Sequence, residues 1–229
     1  PKPTGETIVY YMVEITPIYV SGNHIGTIIL KQNITEHKNN LKEVMQLNER
    51  LQSLATRDWL TQSYNRYFFD ERLQQEIDLV NRMQAYSPDS EKGVNNFGLI
   101  IFDIDYFKIY NDNNGHPAGD ELLRTIVMVV KETLYPTDIL CRYGGEEFAV
   151  ICCHTSEKGI KIAAEKIRKA VEDYDFKFQD KQPDGNLTIS IGAAYCSDAN
   201  VKREDLIKRA DNCLYLAKGS GKNKVVLDV

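Results

Sequence analysis

No stretch of the chain approaches the ~20 consecutive apolar residues of a membrane span, and no signal peptide is visible. A start at Pro1 without methionine fits a cut or processed chain, which leaves upstream membrane segments open. The five cysteines (Cys141, Cys152, Cys153, Cys196 and Cys213) lack C-x-x-C spacing, which argues against both a disulfide framework and a zinc site. Three of them lie in apolar β-type runs, where free cysteine behaves as a small hydrophobe, and an odd count fits a reducing cytoplasm. His24, His37, His116 and His154 share no spacing and read as turn or surface residues. Excess positive charge is missing too: the formal net charge of −5 speaks against a general nucleic-acid binder. There is no internal repeat or low-complexity tract, and no Gly or Pro between Glu36 and Arg57.

What is present is ordinary in bulk and specific in detail. At 42% hydrophobic and 27% charged, 229 residues suffice for a sizeable core and exceed the usual single-domain size. Apolar β-type runs, Asp138–Tyr143 and Phe148–Cys153, flank Gly144-Gly145-Glu146-Glu147, so the glycines sit where a hairpin must reverse. By itself this is a Gly-Gly turn with two solvated acids. A second acidic strand end lies upstream, where Phe97–Phe102 runs into Asp103-Ile104-Asp105 with Lys108 three residues on. An acid ending a buried strand beside an acidic hairpin suits Mg²⁺, which takes one or two carboxylates plus waters and phosphate oxygens.

Several segments together resemble the GGDEF-domain diguanylate cyclases. They are Asp58-x-Leu60-Thr61-x-x-x-Asn65-Arg66, Phe102–Lys108 with Asn111-Asp112, Gly115-His116-x-x-Gly119-Asp120, the signature Arg142–Phe148, Ser190-Ile191-Gly192, and Ala210-Asp211 through Asn223. The match runs over roughly 56–229. It implies a palm-like α/β (α+β) fold with a mostly antiparallel sheet, shared with nucleotidyl cyclases. It also implies condensation of two GTP into cyclic di-GMP with release of two pyrophosphates, in a homodimer that uses Mg²⁺ or Mn²⁺ and binds no nucleic acid.

By the same resemblance Asp103, Glu146 and the Ile104 carbonyl bind metal, and Glu147 either helps deprotonate the attacking 3′-hydroxyl or holds a second metal. The backbone at Tyr106, Phe107 and Lys108 cradles phosphates, with Lys108, Lys218 and Lys222 adding charge. Lys222 stands where the family usually has Arg, keeping the charge without the bidentate fork. Asn111 and Asp120 read guanine, the carboxylate accepting from N1–H and N2–H₂, a pattern adenine does not offer. In the frame of the family's Arg-x-x-Asp inhibitory site, Asp138 is retained but Tyr135 replaces the arginine, so feedback inhibition is expected to be weak or absent. Gln62 and Tyr67 also depart from the usual residues.

Each residue has a plainer reading. Asp105 fits as an N-cap of the helix that follows. Arg142 and Asp58 fit a structural ion pair, Lys108 a solvated lysine, and Asn111-Asp112 a turn. A catalytically silent GGDEF domain that binds GTP or a partner is the alternative function.

Upstream, residues 1–35 read as two strands around Ser21-Gly22-Asn23, with Pro17 marking an edge or bulge. The run Ile15–Tyr19, Gly26 and Asn33-Ile34-Thr35-Glu36 resembles the last strands of a PAS sensor domain, whose ligand is not legible. Residues 36–57, with Thr35 as N-cap, read as a linker helix with a coiled-coil seam at Val44, Leu47, Leu51 and Leu54, or as a single amphipathic helix. The catalytic domain is expected at 58–229. Within it the expected elements are helix 67–85, a surface loop 87–96, strand 97–102, a short helix near 106–111, helix 120–134, hairpin 138–153 and helix 156–173. Strands near 175–179 and 187–195, helix 202–217 and strand 223–227 complete it.

Overall fold

A computed structural model describes residues 8–86, 96–197 and 201–228. They divide into two compact units, Pro1–Ala55 and Thr56–Val229. The expected loop at 87–96 lies, apart from Asn96, outside the described residues.

In the first unit, strands β1 (Tyr11–Val20) and β2 (Asn23–Asn33) pair antiparallel around Ser21 and Gly22, which take positive φ of 50° and 82°. The register shifts between Ile18 and Tyr19, just beyond Pro17. Ile15, Tyr19, Ile25 and Ile29 are all exposed, because a lone two-stranded sheet has no second layer to cover them. Helix α1 (Thr35–Thr56) follows. Thr35 is its first residue rather than its N-cap: Asn33 Oδ1 accepts from the Thr35 amide at 3.0 Å, and Thr35 Oγ1 accepts from the Tyr10 amide at 2.9 Å. Val44, Leu47, Leu51 and Leu54 are exposed along α1.

The second unit is built on β3 (Phe97–Ile104), all eight residues of which are buried. Apolar side chains at both parities are what a strand covered on both faces requires. Ile100, Phe102 and Ile104 pack with α3 (Phe107–Asn114), α4 (His116–Lys131) and α5 (Glu157–Glu172). Phe97, Leu99 and Ile101 face α2 (Arg66–Tyr86) and α6 (Arg203–Gly219). The sheet order is β4-β5-β3-β6-β7, adding β4 (Ile139–Gly144), β5 (Glu147–Cys152), β6 (Ile189–Cys196) and β7 (Val225–Asp228). Among the described strands of this sheet, only β6 and β7 pair parallel. This is the mixed α/β class expected, with a mostly antiparallel sheet between two helical layers. Helix α6 lies directly on the backbone of β6: a Cβ at Gly192 would stand 2.1 Å from the Ala210 carbonyl oxygen.

Three expected elements differ. Residues 175–179 are not a strand but a turn leading into a 3₁₀ segment (Gln179–Lys181), with Phe178 at φ 63°. Both edges of β6 are already taken, by β3 and β7, so Phe176 is buried by packing rather than pairing. Helix α4 starts at His116 and stops at Lys131, because Pro117 sits in its first turn, where no intrahelical N–H is needed. Helix α3 extends to Asn114, and Gly115, at φ 84°, closes it and opens α4.

Candidate active site

The alternation of β3 sends Asp103 to the same face as Phe97, Leu99 and Ile101, toward α6. There Lys218 Nζ lies 2.9 Å from Asp103 Oδ2. In register, Asp103 stands opposite Glu147 of β5 on one side and Ser190 of β6 on the other. Burial pushes the Asp103 carboxyl from 3.8 up to about 6; Lys218 pulls it down, while Glu146 and Glu147 push it further up. Asp211, on α6, is likewise raised by burial and then by Glu147. Sequence reasoning gave Asp211 no role, although its place in the closing motif was a signal. The result is a knot of carboxylates converging on the end of one strand, with Glu146 and Glu147 half-buried.

Arg142 holds the hairpin tip in place. Its Nε and Nη2 donate to the Gly145 carbonyl at 2.9 and 2.7 Å, and Nη1 donates to Asp58 Oδ1 at 3.1 Å. The ion-pair reading of Arg142 and Asp58 is therefore correct, and the pair also fixes the turn. Burial works to raise the Asp58 pKa, but the Thr61 hydroxyl and amide, with Arg142, outweigh it and leave it below its ordinary value. Gly145 has φ 51° and nothing within 4 Å of a notional Cβ, while Gly144 is equally open. The tip thus leaves space against its backbone.

The N-terminus of α3 has no side-chain cap, and its N-cap residue Tyr106 has φ 59°. Its first-turn amides lack intrahelical partners, an arrangement suited to an anion. Phe107 is buried, Lys108 exposed, and Lys222 Nζ sits 4.9 Å from the Tyr106 ring centroid. Asn111 Oδ1 is fully buried and accepts no hydrogen bond. It lies against Gly119, where a Cβ would stand 1.8 Å away. Asp120 is half-buried on α4. An orphaned acceptor beside a carboxylate suits a ring carrying adjacent N–H donors.

Asp105 is not the helix cap expected. It is 2% exposed and faces β6 and the segment before β7. The sequence signal was weak, since Thr188, Ser190 and Asn223 are far from it along the chain.

Tyr135 and Asp138 lie apart from these residues, on an open cleft of about 340 Å³ lined also by Arg57, Tyr64 and Lys131. Asp138 Oδ2 accepts from the Tyr135 amide at 3.0 Å. Burial raises the Asp138 pKa against the pull of the Tyr135 and Cys153 amides and of Lys166.

Among the described residues, no three His, Cys, Asp or Glu side chains form a closed metal cage. An ion that shares its shell with phosphate and water needs only one or two carboxylates from the protein, which Asp103 and Glu146 could supply.

A family model for the diguanylate cyclase GGDEF domain matches residues 55–224. The chain is 36% identical over 175 residues to the probable diguanylate cyclase DgcT of Escherichia coli, covering 76% of this chain and 36% of that one. It is 32% identical over 197 residues to diguanylate cyclase A of Treponema denticola, covering 86% and 51%. The chain thus spans about half or less of these curated relatives. In structure it is similar to the coiled coil and GGDEF domain of DgcB from Caulobacter crescentus, solved in complex with c-di-GMP. The TM-score is 0.72 at 26% identity, over 85% of this chain and 97% of that one.

Proposed function

The chain belongs to the GGDEF-domain diguanylate cyclase family, and from that premise we propose that it condenses two GTP into cyclic di-GMP and two pyrophosphates. One observation carries the reading: Asp103, on the buried central strand, stands in register with Glu147, beside the glycine tip that bears Glu146.

Asp103, Glu146 and the Ile104 carbonyl fit a Mg²⁺ or Mn²⁺ ion. Such an ion, when bound, neutralises the charge that builds on the transferring phosphate. The first-turn amides of α3 at Tyr106, Phe107 and Lys108, with the side chains of Lys108, Lys218 and Lys222, orient the triphosphate. Asn111 and Asp120 hold the guanine edge, and the orphaned Asn111 acceptor supports that role. In each half-reaction the ribose 3′-oxygen of one GTP bonds to the α-phosphorus of the other. The bond from that phosphorus to the bridging oxygen breaks, and pyrophosphate leaves. Glu147 takes the hydroxyl proton.

Each protomer supplies one half-site, so turnover requires a homodimer. The exposed seam of Val44, Leu47, Leu51 and Leu54 supports pairing through residues 36–57, with a PAS-type sensor at 1–35 setting the orientation of the catalytic domains at 58–229. Among the described residues no helix is long and apolar enough to cross a membrane. Five buried cysteines and a GTP substrate fit a cytoplasmic catalytic domain.

The test is incubation with GTP and Mg²⁺, with products resolved by chromatography. Cyclic di-GMP from the wild type and none from Glu146→Ala is expected. GTP left intact by a protein shown to be dimeric and to bind it would favour the silent-module alternative.

A further inference from the structure

The buried Asp105 carboxylate is met by three uncharged donors. The Ser190 hydroxyl donates to Oδ1 at 2.7 Å; the Thr188 hydroxyl and the Asn223 amide donate to Oδ2 at 2.8 and 3.1 Å. Buried polar oxygen needs such partners, but the hydroxyls of Ser190 in β6 and of Thr188 just ahead of it would supply much of that. The third donor comes from elsewhere and has a larger effect.

Gly221, Lys222 and Asn223 run consecutively at positive φ, 109°, 59° and 46°. For lysine and asparagine this course costs about 1 kcal/mol or more each, so the surroundings must hold it. The Lys222 amide donates to the Ala217 carbonyl at the end of α6, at 3.1 Å, and two further clasps act through Asn223. Asp105 takes its amide, while α5 takes its side chain through Glu172 Oε1 at 2.6 Å and Arg168 Nη1 at 2.8 Å. The course carries Lys222 to the ring of Tyr106, the residue that opens α3 and is itself left-handed. Asp105 is bonded along the chain to both Ile104 and Tyr106. One side chain therefore ties the strand end, the helix N-terminus and the lysine loop together.

We propose that Asp105 is a positioning residue for the triphosphate: it holds Lys222 over the N-terminus of α3, so that the ammonium and the first-turn amides address one phosphate group. This rests on the reading of Lys222 as a phosphate ligand given above.

A double-mutant cycle tests it, read both as KM for GTP and as calorimetric affinity for a non-hydrolysable GTP analogue. Lys222→Ala should weaken both roughly tenfold, the loss of one charge-assisted contact. Asp105→Asn, which turns an amide N–H against one of the three donors, should weaken both by a similar factor while kcat moves less. In that background Lys222→Ala should add less than about twofold. A merely structural Asp105 makes the two losses multiply, to roughly a hundredfold, and that result overturns the proposal. Thr188→Val, isosteric and outside the phosphate contacts, withdraws one donor and should show the same non-additivity at smaller amplitude, which keeps the test decisive if Asp105→Asn does not fold. An unchanged affinity in Lys222→Ala removes the premise. A lysine that matters but whose effect multiplies with that of Asp105 or Thr188 removes only the positioning role.

Discussion

Replacing Asp103 by asparagine should make the metal-free protein more stable at alkaline pH while ending its catalysis. The Asp103 carboxyl is buried and titrates near 6 rather than 3.8. A carboxyl whose folded pKa is raised stabilises the fold while it is protonated. That contribution is whole below the unfolded value of 3.8 and is lost as pH climbs through about 6. At about 1.4 kcal/mol per pH unit, holding the charge at pH 8 costs the fold about 3 kcal/mol. The side chain is 11% exposed, so solvent screens little of this. That figure already contains the pull of Lys218, whose ammonium regains water in the variant because its side chain is 34% exposed. A net gain of about 3 kcal/mol at pH 8 is expected, worth roughly 8 °C in a unit of this size. The assay is urea unfolding of chelator-treated protein, followed by circular dichroism at pH 8 and pH 4.5. The advantage of Asp103→Asn should fall by about 2 kcal/mol between the two, since the native carboxyl is then largely protonated. A variant no more stable than wild type at pH 8, or an advantage that ignores pH, would refute the reasoning.

Other substitutions probe the packing, the proposed guanine contacts, the α1 face and the second cleft. Gly192→Ala puts a methyl 2.1 Å from the Ala210 oxygen and 2.2 Å from the Leu214 nitrogen, both backbone. Helix α6 must then lift from β6, and a loss of about 3 kcal/mol or more is expected; an unaltered Tm would contradict this. Gly119→Ala drives the Asn111 amide aside and should raise KM for GTP roughly tenfold with little change in Tm, as steady-state kinetics and a thermal melt will show. Leu47→Lys with Leu51→Lys should cut turnover severalfold by charging the seam, so unchanged specific activity at low protein concentration counts against a dimer held there. Added product should inhibit weakly, because Tyr135 cannot replace a guanidinium. Strong inhibition that Asp138→Ala abolishes contradicts this.

The sequence was most legible where local chemistry and tertiary context agree. The apolar run ending in Asp103 and the glycine pair ahead of Glu146 each specify their element and their place in it, and the sheet brings them into register. It was least legible where a residue's partners are distant. Nothing near Asp105 distinguishes a helix cap from a carboxylate that bonds to Thr188, Ser190 and Asn223. Phe176 and Phe178 have β-type side chains, yet both edges of β6 were already taken, by β3 and β7. Asn114-Gly115-His116-Pro117 contains residues that break helices in their interior, but here the glycine joins two helices and the proline falls in a first turn. The dual service of Arg142, to Asp58 and to the Gly145 carbonyl, needs the meeting of segments 84 residues apart.

The loop that follows α6 also sets the order in which the protein can come into being. The donors to Asp105 stand 83, 85 and 118 residues further along the chain, and the last of them follows every helix. A ribosome delivers residues in sequence, so β3, the hairpin tip and the six helices of the described residues emerge before the Asn223 amide does. Until then Asp105 has the Thr188 and Ser190 hydroxyls but not the Asn223 amide, and the parallel strand β7 is missing. A chain still being made can therefore carry the whole GGEEF signature before the loop at Gly221–Asn223 is tied to the end of β3.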